Sequence, residues 1–284
     1  MLCYYITDRR QFAGDARTQR QRLLAKIAEA ARAGVDFIQL RERDLTVRDL
    51  EALARECVEV IRQATGAGVA GRPNPACACG AGEAADARPG AGPLPAARRQ
   101  RPTLLLINSR TDIALAAGAG GVHLRGDDIP ASEARVIWDK AAKRTGGLPS
   151  SRGPLVVGVS CHAPDEVRRA EAHGADFAVF APVFAKVMAP QRPGVGVEAL
   201  REACRRPGAP LNVEGPGAGP MPVLALGGIT LDNACTCLEA GAAGIAGIRL
   251  FQENDVQETL AQLQELEKKT YHRATETQRH RSGR

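Results

Sequence analysis

A chain of 284 residues, 44% of them hydrophobic, can bury a full core, either as one large α/β barrel or as two smaller domains. It holds no apolar run long enough to cross a bilayer, and it opens on Met1-Leu2-Cys3-Tyr4-Tyr5 without the basic start of a secretory leader, so a cytoplasmic protein with no membrane partner is expected. The net charge of +6 sits in six Lys/Arg against one acid over 268–284 and five Arg against two acids over 66–102, which leaves the rest slightly acidic and argues against a nucleic-acid partner.

Short runs rich in Val, Ile and Leu alternate with helical patterns from one end to the other. Strands are predicted over 3–7, 36–41, 103–107, 121–124, 155–160, 177–181, 222–226 and 244–248. Helices are predicted over 18–33, 47–64, 111–117, 130–143, 164–173, 197–204, 232–240 and 253–268. Pro130 before Ser132-Glu133, Pro164 before Asp165-Glu166, and Thr230-Leu231-Asp232-Asn233 are helix starts. Helices end in glycine at Gly34, Gly118, Gly174 and Gly241, and one helix-to-strand phrase recurs at 117–121, 173–177 and 240–244.

Eight β/α units with buried parallel strands predict a single (β/α)8 TIM barrel over 1–268, with a doubly wound sheet as the alternative topology. Residues 66–102 keep no periodicity and are rich in Gly, Pro, Ala and Arg; they read as a disordered insert on the face away from the strand C-termini. Residues 145–154 and 206–220 look like smaller versions, and 269–284 reads as a disordered basic tail. The eight cysteines include two C-x-C pairs without the C-x₂-C spacing of a zinc site, so reduced thiols are expected.

In a barrel the chemistry lies at the C-terminal strand ends. Gln39, Arg41 and Arg43 are two apart, so on an extended chain they fan to one side, as an anion clamp or as solvated charges. Asn108 and Ser109 follow strand 3. Asp127 and Asp128 follow strand 4; they are hard oxygen ligands for Mg²⁺ or caps of the next helix. Ser160 and His162 follow strand 5, with His162 a proton carrier or a scaffold residue, and Lys186 follows strand 6. Gly227-Gly228 and Ile248-Arg249 end strands 7 and 8, where barrels commonly bind phosphate through backbone N–H groups. A mouth rich in Arg, amides and glycines, with little acid–base machinery, suits two phosphorylated ligands and a departing pyrophosphate stabilised by Arg and Mg²⁺.

These phrases resemble the thiamine phosphate synthase/TenI family. The matches run from Tyr4-Tyr5-Ile6-Thr7-Asp8 and Gln39-Leu40-Arg41-Glu42-Arg43 through Gly121-Val122-His123-Leu124 and Gly158-Val159-Ser160-Cys161-His162 to Gly227-Gly228-Ile229, in order. The resemblance implies a barrel that joins a phosphorylated pyrimidine to a thiazole phosphate with Mg²⁺. It assigns Gln39, Arg41 and Arg43 to the pyrophosphate with Asn108 assisting, Asp128 to Mg²⁺, Ser160 to the pyrimidine, and Gly228 with Ile248 to the thiazole phosphate. Arg41, Arg43 and His162 are the residues expected to carry catalysis, and a homo-oligomer is left open.

This chain departs from the family pattern at several places. Arg43 stands for a Lys, Ser109 for the Asp of an Asn-Asp pair, and Arg125-Gly126 for Gly-Gln. Ala185-Lys186-Val187-Met188-Ala189 stands for the family's Pro-Thr-x-Ser/Thr-Lys, which removes a Thr and a Lys and leaves Lys186 as a substitute cation, and Arg249 stands for a Ser. Synthase is the first reading, a TenI-like thiazole tautomerase the second, and a silent phosphate-ligand binding or regulatory protein the third.

Overall fold

The computed structural model describes residues 1–66, 102–144, 154–185, 193–205 and 221–282, with side chains as far as residue 270. Eight parallel strands close into a barrel: β1 (Leu2–Ile6), β2 (Phe37–Leu40), β3 (Leu104–Asn108), β4 (Gly121–Leu124), β5 (Val156–Cys161), β6 (Phe177–Phe180), β7 (Val223–Ala225) and β8 (Gly244–Gly247). Each strand pairs with the next, and β8 returns to β1 through Leu2↔Gly244 to Tyr5↔Gly247. The predicted (β/α)8 barrel is the observed fold.

The intervening helices are α1 (Ala16–Ala33), α2 (Val47–Ala64), α3 (Thr111–Ala117), α4 (Ala131–Arg144), α5 (Pro164–Ala172), α6 (Val197–Cys204) and α7 (Leu231–Glu239). Their ends follow from side-chain chemistry. Asp15 accepts the Thr18 N–H at the start of α1, and Thr46 accepts the Asp49 N–H at the start of α2. Thr230 and Asn233 form a reciprocal capping box on α7. Leu23, Ile27, Ala30 and Ala31 on α1, and Leu50, Leu53, Ala54, Cys57 and Ile61 on α2, face the strands at helical spacing.

The recurring helix-to-strand phrase has a structural reason. Its glycine adopts a left-handed conformation at Gly118, Gly174 and Gly241, and 33–37 is a fourth copy with Gly34 at φ 86°. The last residue of each copy opens an even-numbered strand: Phe37, Gly121, Phe177 and Gly244. Phe37 and Phe177 stack with ring centroids 4.9 Å apart, and Tyr4 stands nearly perpendicular to both. The two glycines alternate with the two rings because the backbone is tight there. A Cβ would lie 2.2 Å from the Val156 carbonyl oxygen at Gly121 and 2.1 Å from the Leu2 carbonyl oxygen at Gly244. Together with Ile6, Leu106, Val179, Leu224 and Ala246, these rings pack the barrel interior as a filled core.

Three expectations are corrected. β2 ends at Leu40, so Arg41 and Arg43 lie in the following loop and not on an extended strand. A short α8 (Arg249–Gln252), not expected, precedes the helix expected over 253–268, which starts later and runs on as α9 (Val256–Ser282). The helical backbone therefore continues through the segment expected as a disordered tail, consistent with its content of good helix formers such as Glu, Lys, Gln and Arg. The insert expected over 66–102 falls, apart from Gly66 and Pro102, outside the described residues. No helix among the described residues is long and apolar enough to cross a membrane.

Candidate active site

The C-terminal ends of β2 and β3 meet through two amides. Gln39 is 2% exposed, and its Nε2 donates to Asn108 Oδ1 at 3.0 Å. Asn108 Nδ2 in turn donates to Ser109 Oγ at 3.2 Å. Ser109 is the one described non-glycine residue at positive φ (59°), and its N–H donates to the His123 carbonyl on β4. The next residue of the clamp, Arg41, is half-buried and makes no ion pair among the described residues. Burial first, and the neighbouring Arg43 second, lower its pKa from the ordinary value. The more distant Asp8 and Glu42 charges offset this only in part, so a partly desolvated guanidinium without an ion pair among the described residues is suited to an added anion. Arg43 itself is exposed in the turn.

Glu42, between the two arginines, faces the other way and is buried on Arg9, a residue of the short 3₁₀ turn Arg9–Gln11 that follows β1. Arg9 Nη1 donates to Glu42 Oε2 at 2.9 Å, while its guanidinium forks onto Asp44 at 2.8 and 2.7 Å. The fork on Arg9 holds the Asp44 carboxyl below the usual carboxylate range. Because the folded pKa is the depressed one, the stabilisation is full at neutral pH, begins to fall below about pH 4 and is gone only below the depressed folded value. Asp44→Asn is expected to cost under about 1 kcal/mol at pH 7, since Asp44 is partly exposed, and to cost less at pH 3. Urea midpoints at the two pH values measure this.

After β4 the chain turns back on itself. Asp128 Oδ2 accepts the Arg125 N–H at 2.7 Å, and the Arg125 guanidinium reaches Asp128 and Asp127 at 3.3 Å each. Asp128 thus folds onto the residue three before it, not forward onto α4 as a cap. Its side chain is 14% exposed, against 74% for Asp127. Among the described residues, no group of three or more His, Cys, Asp or Glu converges. Mg²⁺ needs less than that, since it is commonly held by one or two carboxylates with substrate phosphates and water completing the shell. Asp128 meets this minimum, with Asp127 at the solvent edge and Ser109 supplying no second carboxylate from β3.

His123, opposite Gly158 in the β4–β5 register, places Nε2 2.8 Å from Ser160 Oγ, one step nearer the mouth. It is buried, and burial, with Arg41 adding to it, lowers its pKa to about 3, so the ring is neutral throughout the physiological range. His162 is exposed, and its Nδ1 lies 2.5 Å from the Ala181 carbonyl. A carbonyl only accepts, so Nδ1 carries a proton, and the tautomer this selects has its lone pair on Nε2.

The loops after β6 and β7 interlock. Phe184 N–H donates to the Gly227 carbonyl, and a Cβ on Gly228 would lie 2.6 Å from the Ala185 carbonyl oxygen. Asn233 of the capping box donates to the Gly228 carbonyl at 3.0 Å. Ile248 and Arg249 stand where β8 passes into α8, both half-buried. Lys186 lies outside the described residues. Sequence reasoning assigned no role to His123 or to the Thr7–Arg9–Glu42–Asp44 group. The first carried a signal in its place on β4, two residues before Arg125. The second carried one in the strict charge alternation of residues 41–44.

A model of the family described as thiamine monophosphate synthase matches residues 82–251. The thiamine-phosphate synthase of Roseiflexus sp. (strain RS-1) is 32% identical over 250 residues, covering 87% of this chain and 76% of that protein. That of Methanoculleus marisnigri is 31% identical over 255 residues, covering 89% of each. A solved thiamine phosphate pyrophosphorylase from Pyrococcus furiosus superposes with a TM-score of 0.60 at 23% identity, covering 95% of this chain and 96% of that one, a likeness of fold.

Proposed function

The chain belongs to the thiamine monophosphate synthase family, and from that premise we propose that its barrel mouth joins a pyrimidine-methyl pyrophosphate to a thiazole phosphate, giving thiamine phosphate and pyrophosphate in thiamine biosynthesis. It acts as a transferase of the diphosphorylase type. The observation that carries the reading is Arg41, a half-buried cation with no ion pair among the described residues, next to the Gln39–Asn108 amide pair.

As the carbon–oxygen bond of the pyrimidine-methyl group breaks, negative charge grows on the departing pyrophosphate. Arg41 and Arg43 meet that charge, while Gln39 and Asn108 orient the oxygens. The thiazole nitrogen forms the new bond to the same carbon, and Gly228, Ile248 and Arg249 hold the thiazole phosphate at the β7 and β8 loops. Ser160, anchored on His123, contacts the pyrimidine. Asp128, with Asp127 beside it, would hold Mg²⁺ together with pyrophosphate oxygens, and the ion would supply further positive charge to the leaving group.

The test gives purified protein both substrates and Mg²⁺ and follows thiamine phosphate by oxidation to fluorescent thiochrome. Product that vanishes with chelator and falls in Asp128→Asn is expected. A second reading, a thiazole tautomerase, is favoured by His162, whose Nε2 makes no hydrogen bond among the described residues. No thiamine phosphate, with His162-dependent conversion of the thiazole tautomer, would replace the first reading by the second.

A further inference from the structure

Residues 41–44 read Arg-Glu-Arg-Asp, and the fold sorts the two signs. Both acids are taken by Arg9, through its guanidinium and, for Glu42, through its backbone N–H as well. Both arginines are left without an ion pair among the described residues. The joint between the two sets is a single hydroxyl. Thr7 Oγ1 lies 2.6 Å from Glu42 Oε1 and 3.1 Å from the Arg41 backbone nitrogen.

The direction of each bond is fixed by chemistry. A carboxylate held by Arg9 only accepts, so the one hydroxyl proton of Thr7 goes to Glu42. What remains on Thr7 Oγ1 is a lone pair, and the Arg41 N–H donates to it. Thr7 is 0% exposed and Glu42 is 4% exposed, so bulk water does not compete for either bond. The chain from Arg9 to Glu42 to Thr7 to Arg41 therefore has one arrangement, and it ends on the backbone of Arg41, whose charge reaches the buried His123 on β4.

We propose that Thr7, locked by Glu42 and Arg9, is a positioning residue that sets the aim of Arg41 on the pyrophosphate group. This rests on the reading of Arg41 as a pyrophosphate contact. The Thr7 bond fixes the backbone from which the Arg41 side chain springs, and so the positions its guanidinium can reach, and small misplacements of such a group are costly to catalysis.

The experiment measures binding of inorganic pyrophosphate by calorimetry, KM for each substrate, and the thermal midpoint. Thr7→Val keeps the shape and removes the hydroxyl. It is expected to raise the pyrophosphate Kd and the KM for the pyrimidine pyrophosphate about tenfold while leaving the KM for thiazole phosphate unchanged. Thr7→Ser is expected to restore both. If Thr7→Val does not fold, Glu42→Gln, which turns the acceptor into a mixed donor and acceptor, reads the same joint with the same selective loss. Unchanged pyrophosphate binding, or a parallel rise of both KM values with a lowered thermal midpoint, overturns the proposal. Arg41→Ala separates the two levels. If it weakens pyrophosphate binding while Thr7→Val and Glu42→Gln do not, the positioning role alone falls. If it leaves binding intact, the pyrophosphate reading falls and takes the positioning role with it.

Discussion

Arg41→Ala is expected to lower kcat/KM for thiamine phosphate formation about a hundred- to a thousandfold, the range typical of losing one preorganised donor to developing negative charge. The reason lies in how the folded chain treats this residue. Burial and Arg43 disfavour its charge by more than the nearby Asp8 and Glu42 favour it, and the Glu42 carboxylate is bonded to Arg9. In the absence of ligand Arg41 is therefore a net cost to the fold, offset only in part by Asp8 and Glu42 and lessened further when an anion arrives. Removing it is expected to leave the thermal midpoint equal to wild type or higher, while activity collapses. The thiochrome assay and a thermal melt on the same preparation check both halves. A loss of less than tenfold would mean that the leaving group is stabilised elsewhere.

The largest expected effect on stability is at the start of β4. Gly121→Ala is expected to destabilise the protein by about 3 kcal/mol or more, read as a shift of the urea midpoint. The added Cβ meets a backbone carbonyl, that of Val156, and not the flexible end of a side chain. Relief therefore requires β4 and β5 to separate at Gly121↔Val156, in a closed sheet with no free edge to absorb the shift. Gly244→Ala meets the same obstacle in the Leu2 carbonyl, where β8 closes on β1. Gly126→Ala is the control. Its nearest contact is the Ser160 carbonyl oxygen at 3.7 Å, so its stability is expected to stay within about 0.5 kcal/mol of wild type. Equal behaviour of Gly121→Ala and Gly126→Ala would refute the argument.

The barrel was legible because each unit carries its own local signals. The caps at Thr46 and Thr230, the left-handed glycines and the short apolar strands all report on residues within a few positions of one another. Features made across the chain were less legible. Periodicity alone extended β2 to residue 41 and spread Gln39, Arg41 and Arg43 along one side of it. The strand stops at Leu40, and residues 42 and 44 turn to Arg9, some thirty residues back in sequence. His123 looks like any strand residue until the β4–β5 register brings Ser160 beside it. The two aspartates after β4 suit a metal or a cap equally well by type, and only the folded loop reveals that Arg125 lies against both. Ser109 gave no sign of its positive φ, since the residue itself does not demand it.

The ring stack of Tyr4, Phe37 and Phe177 gives the barrel a floor on the side where the strands begin. A vessel with a floor has one doorway. In the proposed reaction two reactants enter and two products leave by that doorway, so depth imposes a queue. Whichever ligand seats lower goes in first and comes out last, whatever its affinity, and a molecule lodged at the rim detains everything beneath it.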